Sequence, residues 1–540
     1  MRKLNPGSIL IRHKYIFYIM KTDLNDPKFN FVIAGGGLAG WLAALTIRYH
    51  YHKINVTVVE SSEIGPVGVG ESTTPQIIQF FDMLGISVVD LMKNTSATIK
   101  NGIKFTNWNG DGTHYYHGFS NSPELCYEKQ TILNYSDIPL LVLQAISSGN
   151  NLNEVELSAL ASDEYKVKFA KSPFINPSAN RIFHFTNHGN FALHFDSAEI
   201  ISYLRKVGSE RGINTIDSKI IGTKTNDDGY ITHLELQGGN ISVDFVIDAT
   251  GFSRMIIGGL YQGSWKSYKP QLPLKKAIPF HLKNDPNRIP PYTECIAMEN
   301  GWTWKIPLQD RFGCGYVFDS DRITENEAKD EIKKVFGDDI DLKKTLNFDP
   351  GAFTNPWIKN CVALGLASAF IEPLESTAIW ITIESIKSFL SSIKGLTHLD
   401  ELHRNRHNER VNQLADDVLL FVYLHYLGKR TDTNFWKEFS STTEAPDFIK
   451  ECDRRNRDIT LIRPMISDFD VGFTFWSWEQ VGSGIHFFNR DEGQKSLDSL
   501  LQGRRIFEYA KGYKNLTENL KTNLNNFVDH SEFIRYLKQI

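Results

Sequence analysis

Phe29-Asn30-Phe31-Val32-Ile33-Ala34-Gly35-Gly36-Gly37-Leu38-Ala39-Gly40 decides how this chain folds. Its first six residues read as a buried strand that runs straight into a glycine turn. Trp41 to Tyr49 then has helical character, and Asn55-Val56-Thr57-Val58-Val59-Glu60 is a second strand ending in an acid. Strand, glycine turn, helix and strand make a dinucleotide-binding unit, with Glu60 at the expected separation of about 20 residues from the turn. Glycines permit a tight turn and close backbone approach, and the helix N-terminus stabilises a pyrophosphate. The terminal carboxylate accepts hydrogen bonds from ribose hydroxyls. Gly35, Gly37, Leu38, Ala39, Gly40, Glu60 and Ser61 are the candidate cofactor contacts here.

Further along, the apolar run Phe245-Val246-Ile247-Asp248 continues into Ala249-Thr250-Gly251. It resembles the later dinucleotide signature of FAD hydroxylase-type folds, where a glycine lets the chain turn beside the cofactor. Both signatures in one chain favour FAD over NAD. Ala198 to Arg211 and Ile379 to Ile393 have helical apolar spacing, and from about His403 the sequence is charged, aromatic-rich and helix-like. The expected fold class is α/β: an FAD-binding Rossmann-like domain of the flavin monooxygenase type, with a mostly helical C-terminal substrate domain. The expected division is an extension over 1–28, disordered, an FAD-binding domain over 29–395 and a helical domain over 396–540.

The 540 residues suffice for two or three domains. Hydrophobic residues make up 41% and charged residues 23%, an ordinary globular balance, and the net charge of −4 gives no reason to expect nucleic acid or an anionic membrane. Five scattered cysteines without a CxxC pair argue against a disulfide framework or a zinc site, so no metal is expected and a reducing cytoplasm is. No apolar run of about 18 residues is present to span a membrane. Met20 is an alternative start of translation.

The stretch Gly301-Trp302-Thr303-Trp304-Lys305-Ile306-Pro307 puts two indoles on one face of a strand. Such a pair usually fills a core. With the FAD unit, however, it resembles the flavin-dependent halogenases of the tryptophan-halogenase family, whose hallmark is Gly-Trp-x-Trp-x-Ile-Pro. Similarity recurs in order from about Phe29 to about Trp436. It includes Gly68-Val69-Gly70-Glu71-Ser72-Thr73-Thr74-Pro75, which is like a second flavin-contacting segment of that family.

The resemblance implies roles for single residues. Lys100, in Ser96-Ala97-Thr98-Ile99-Lys100-Asn101-Gly102-Ile103-Lys104-Phe105-Thr106-Asn107-Trp108, takes the position of the catalytic lysine. As amine or ammonium, it would hold hypohalous acid and direct it at an arene. In Glu372-Pro373-Leu374-Glu375-Ser376-Thr377-Ala378, the backbone of Thr377 and Ala378 would bind the halide, because N–H groups at a helix start favour an anion. Glu375 and Ser376 would face the substrate, with Glu375 stabilising the cationic arenium or removing its proton. Ser376 and Thr377 read as good N-caps. Ala378 stands where the family usually has glycine; at a positive φ alanine is strained, and in a helix it is tolerated.

Trp302 and Trp304 would keep an organic substrate from the flavin while a small hypohalous acid passes. His117 and Phe119 resemble an aromatic substrate-pocket segment, although a packed pair reads equally well. Ser72, Ile220, Leu366 and Ile379 complete the expected cofactor contacts.

One region departs from the family. Phe473-Thr474-Phe475-Trp476-Ser477-Trp478-Glu479-Gln480-Val481-Gly482-Ser483-Gly484 lacks the tyrosine pair that helps hold an amino-acid head group. The substrate is therefore expected to be aromatic, indole-like or tryptophan, without having to be free tryptophan. Expected partners are a separate NADH-dependent flavin reductase, which supplies FADH2, and the halide, chloride or bromide; a homodimer is expected. An FAD-dependent aromatic monooxygenase and a catalytically silent flavin-binding protein remain as alternatives.

Overall fold

The computed structural model describes residues 20–21, 24–65, 70–119, 170–175, 191–394, 398–466, 473–501 and 527–539. Most of the expected N-terminal extension, together with Gly68 and Val69, lies outside the described residues. Met20–Lys21 pairs antiparallel with His398–Leu399, and Leu24 is part of a buried core.

The first sheet has six strands, in the order Asn214–Asp217, Asn55–Glu60, Asn30–Ala34, Phe245–Asp248, Cys361–Ala363 and Trp357–Ile358. All neighbours are parallel except the last pair. The Val- and Ile-rich runs suit this position, because the inner strands of a parallel sheet are covered on both faces. The helices Leu38–His50, Ser197–Glu210 and Thr377–Ile393 pack here, and Asp196 caps the second by accepting from the N–H groups of Ala198 and Glu199.

A second sheet of seven strands runs in the order Leu346–Asn347, Lys276–Lys283, Arg311–Phe318, Gly301–Pro307, Tyr292–Ala297, Gly102–Thr106 and His114–Gly118. The tryptophan-bearing strand is central. A three-stranded sheet, Gly70–Ser72, Ala192–Asp196 and Thr98–Lys100, joins the two. The chain leaves this small sheet at Lys100 and enters the seven-stranded sheet at Gly102. Between them, the Asn101 N–H donates to the Pro291 carbonyl. That crossing buries Lys100 at the junction.

Beyond residue 396 the described chain is mostly helical, including Glu401–Leu424 and Phe475–Gly484, as expected for the fold class. This helical part does not stand apart. Phe421, Trp436 and Trp478 share one core with Trp302 and Trp304 of the second sheet and with Trp108, which follows its strand Gly102–Thr106.

Candidate active site

The glycine turn has the shape its sequence suggests. Gly35 adopts φ +116°, and a Cβ on it would lie 2.2 Å from the Ala249 carbonyl oxygen. A Cβ on Gly36 would lie 1.8 Å from a Glu60 carboxylate oxygen, and one on Gly40 would lie 2.0 Å from the Gly35 oxygen. Gly37, the N-cap of Leu38–His50, faces open space. The cradle thus packs tightly against its own backbone and opens where a pyrophosphate would approach, which fits a dinucleotide. Glu60 accepts two hydrogen bonds from Arg205, at 2.7 and 3.0 Å.

Asp248 is buried and clamps the second signature. One oxygen accepts from the Thr250 hydroxyl and N–H, the other from the N–H groups of Ile256 and Ile257. Gly251, at φ +65°, makes the turn that follows. Ser61 follows the Glu60 strand, Ser72 ends a strand of the joining sheet, and Ile220 is buried on a separate three-stranded sheet. Leu366 lies in the turn Gly365–Ala367, and Ile379 is buried in the first turn of Thr377–Ile393.

Lys100 is wholly buried. Its Nζ donates to the Thr73 carbonyl at 2.8 Å and to the Ser376 hydroxyl at 2.9 Å. Burial pushes its pKa down to about 7, against the opposing pull of Glu375 and then Cys295. Lys100 therefore meets Ser376 rather than the neighbouring Glu375 carboxylate. Thr73 is rigidly held, since its hydroxyl donates to the Leu193 carbonyl and accepts from the Leu193 N–H.

Glu375 and Ser376 occupy left-handed backbone, at φ 64° and 59°. Of the two conformations open to Ala378, the structure has the helical one, within Thr377–Ile393, where alanine is unstrained, and the positive φ falls on Glu375 and Ser376. Ser376 is the N-cap but makes no side-chain capping bond. An N-cap normally has extended backbone, and this left-handed one leaves the hydroxyl to Lys100. Thr377 is buried, with its hydroxyl unpartnered, and Thr377 and Ala378 open the helix Thr377–Ile393.

The Glu375 carboxylate is held by two histidines. His117 Nδ1 lies 2.9 and 2.8 Å from its oxygens, and His425 Nε2 lies 2.9 Å from one of them. Burial alone would raise this carboxyl's pKa. Contact with His117, then with His425, overcomes it and holds the group well below the usual carboxylate range.

Trp302 and Trp304 are both buried, with ring centroids 6.3 Å apart at 62°. A Cβ on the facing Gly315 would come within 2.1 Å of the Trp304 ring, so that glycine makes room for the indole. Trp302 Nε1 faces Glu372 and Tyr426 without a hydrogen bond of ordinary geometry. The Tyr426 hydroxyl donates to Glu372 at 2.6 Å, and burial pushes the Glu372 carboxyl up to about 7. Phe119 sits 5.1 Å from Lys100 Nζ. Next to His117, Phe421 and Phe473 stack at 3.7 Å, and Gln480 accepts from the Gly118 N–H.

One cluster of contacts thus gathers Lys100, His117, Phe119, Glu375 and Ser376, with Thr377 next in the chain. The sequence reading missed His425, Thr73, Glu372 and Tyr426. Thr73 lies in the glycine-rich segment 68–75 but acts through a backbone carbonyl, which no motif marks, and His425 is a lone histidine at a helix end.

The profile of the tryptophan halogenase family matches residues 30–495 of the chain. Over 434 residues the chain is 30% identical to the tryptophan 6-halogenase SttH of Streptomyces toxytricini, covering 78% of this chain and 82% of that protein. Among solved structures it is similar to Xcc4156, a flavin-dependent halogenase from Xanthomonas campestris, with a TM-score of 0.78, 27% identity, and 94% and 98% of the two chains covered. BrvH, a flavin-dependent halogenase from Brevundimonas sp. BAL3, gives a TM-score of 0.79 at 26% identity over 94% and 100%.

Proposed function

The chain belongs to the tryptophan halogenase family of flavin-dependent enzymes, and from that premise we propose that it uses reduced FAD, dioxygen and a halide to halogenate an aromatic, indole-like substrate. The observation that carries this reading is Lys100: a buried amine in hydrogen-bond contact with the Ser376 hydroxyl, beside a carboxylate held by two histidines.

Reduced flavin, when bound, supplies the activated oxygen that converts a halide into hypohalous acid. Gly35, Gly37, Leu38, Ala39 and Gly40 would hold its pyrophosphate, with Glu60 and Ser61 toward the adenosine end. Ser72, Ile220, Leu366 and Ile379 are proposed as its remaining contacts. The helix start at Thr377 and Ala378, with the unpartnered Thr377 hydroxyl, suits a small anion. Trp302 and Trp304 exclude the arene from the flavin side, which disfavours direct hydroxylation.

Lys100 receives the hypohalous acid and aims it at the ring. Glu375 stabilises the arenium cation and accepts its proton. His117 and Phe119, with Phe473 close by, form the aromatic wall. Without a tyrosine pair, selection for a free amino-acid head group is weak, and indoles other than free tryptophan are proposed as substrates. A separate flavin reductase supplies FADH2. We also assign the flavin-binding unit to 29–395 and the substrate-side helices to 396–540, with a homodimer as the assembly. Among the described residues no helix is long and apolar enough to cross a membrane.

The test supplies enzymatically reduced FAD, oxygen and bromide with a panel of indoles and free tryptophan, and follows products by mass spectrometry. A brominated indole is the expected product. A hydroxylated product alone, or turnover of free tryptophan well above that of simple indoles, contradicts the reading.

A further inference from the structure

Hydrogen-bond counting assigns protons that the motif leaves open. Both nitrogens of His425 face acceptor oxygens: Nδ1 lies 2.9 Å from the Phe421 carbonyl and Nε2 lies 2.9 Å from Glu375. A carbonyl brings no proton, so Nδ1 carries one. Nε2 needs a second hydrogen between itself and the carboxylate. His117 Nδ1 lies within 2.9 Å of both oxygens of that carboxylate, and two such partners favour its ionised form.

Lys100 shows the opposite count. Its two acceptors, Thr73 O and Ser376 Oγ, match the two hydrogens of an amine. A third hydrogen would meet no oxygen or nitrogen acceptor among the described residues and would have only the Phe119 ring, 5.1 Å away, as a weaker partner. A buried ammonium with one hydrogen unsatisfied is costly.

We propose that the positive charge of this site resides on His425, a positioning residue that holds Glu375 ionised, and that Lys100 presents a neutral amine. The titratable neighbours agree. His194 is wholly buried, and burial lowers its pKa well below the usual value, so it adds no charge. Burial raises Cys295 and Tyr115 well above their ordinary values, leaving both neutral. His117 donates to Glu375, and Glu372 is engaged by Tyr426. Glu375 and His425 then cancel, and the Lys100 lone pair is free for an electrophilic halogen. The protonation assignment stands on geometry; its catalytic meaning rests on the proposed function.

Neutron diffraction on crystals of the substrate-free full chain, grown at slightly alkaline pH, reads the hydrogens directly. The expected result is one hydrogen on each nitrogen of His425, two on Lys100 Nζ and none on Glu375. A protonated Glu375 beside a singly protonated His425, or three hydrogens on Lys100, overturns the assignment. This result does not depend on halogenation, so it can fail or stand separately from the proposed activity. His425→Gln keeps a donor for Glu375 and removes the charge. The acid limb of its kcat profile is expected at higher pH, because an uncompensated Glu375 favours the Lys100 ammonium, while substrate KM stays unchanged. An unmoved limb overturns the proposal.

Discussion

The glycine cradle and the lysine pocket solve opposite problems. At the cradle, tight packing of backbone on backbone leaves one open edge, and its acid is held by Arg205, whose side chain is 46% exposed. In the pocket Lys100, Glu375, His117 and His425 are all buried, and the nitrogens of Lys100 and His425 meet specific oxygens. The cradle needs small residues in sequence; the pocket needs distant segments to converge. Binding can rest on local backbone shape, whereas directing a reactive acid requires charges fixed where water cannot screen them.

Lys100→Ala separates the two regions most sharply. Halogenated product is expected to fall by on the order of 10³-fold in turnover assays, with flavin affinity retained in a binding titration. Glu375→Gln comes next, with kcat lower by about 10²-fold. It also leaves the histidines without their carboxylate, so thermal unfolding is expected to show a loss of about 3–5 kcal/mol.

Gly40→Ala breaks the other side of the comparison. Its Cβ would lie 2.0 Å from a backbone oxygen, which cannot swing aside. Flavin titration is expected to weaken, and stability to fall by about 1–3 kcal/mol in denaturant unfolding.

The smallest effect concerns Glu479, whose carboxyl burial pushes up to about 8 against the pull of Arg463. A raised carboxyl pKa means the folded chain binds more protons between its ordinary value of 4.5 and about 8. Its contribution to stability is therefore present below that window and lost as pH rises through it. Glu479→Gln is expected to flatten this slope in unfolding measured across the window, gaining on the order of 1 kcal/mol near neutrality.

These two regions were unequally legible. Gly35 to Gly40, Glu60 and the Asp248 turn could be read from the chain because their physics is local: a strand, a turn requiring glycine and a helix start lie within one short stretch. Lys100 is an ordinary lysine by composition, and only its flanking likeness to a family singled it out. The pairing of His117 with Glu375 joins positions 258 residues apart. His425 could not be read at all, because its role depends on which oxygens surround a single imidazole. The twin left-handed residues at 375 and 376 were also invisible, since neither is glycine.

The most direct measurement tracks where the oxidant goes. Wild-type and Lys100→Ala proteins are supplied with reduced FAD, oxygen and bromide, and both brominated indole and freely trapped hypobromous acid are quantified. The account predicts brominated indole from the wild type. From the variant it predicts trapped oxidant with almost no brominated indole. Brominated indole at wild-type level from Lys100→Ala would contradict it.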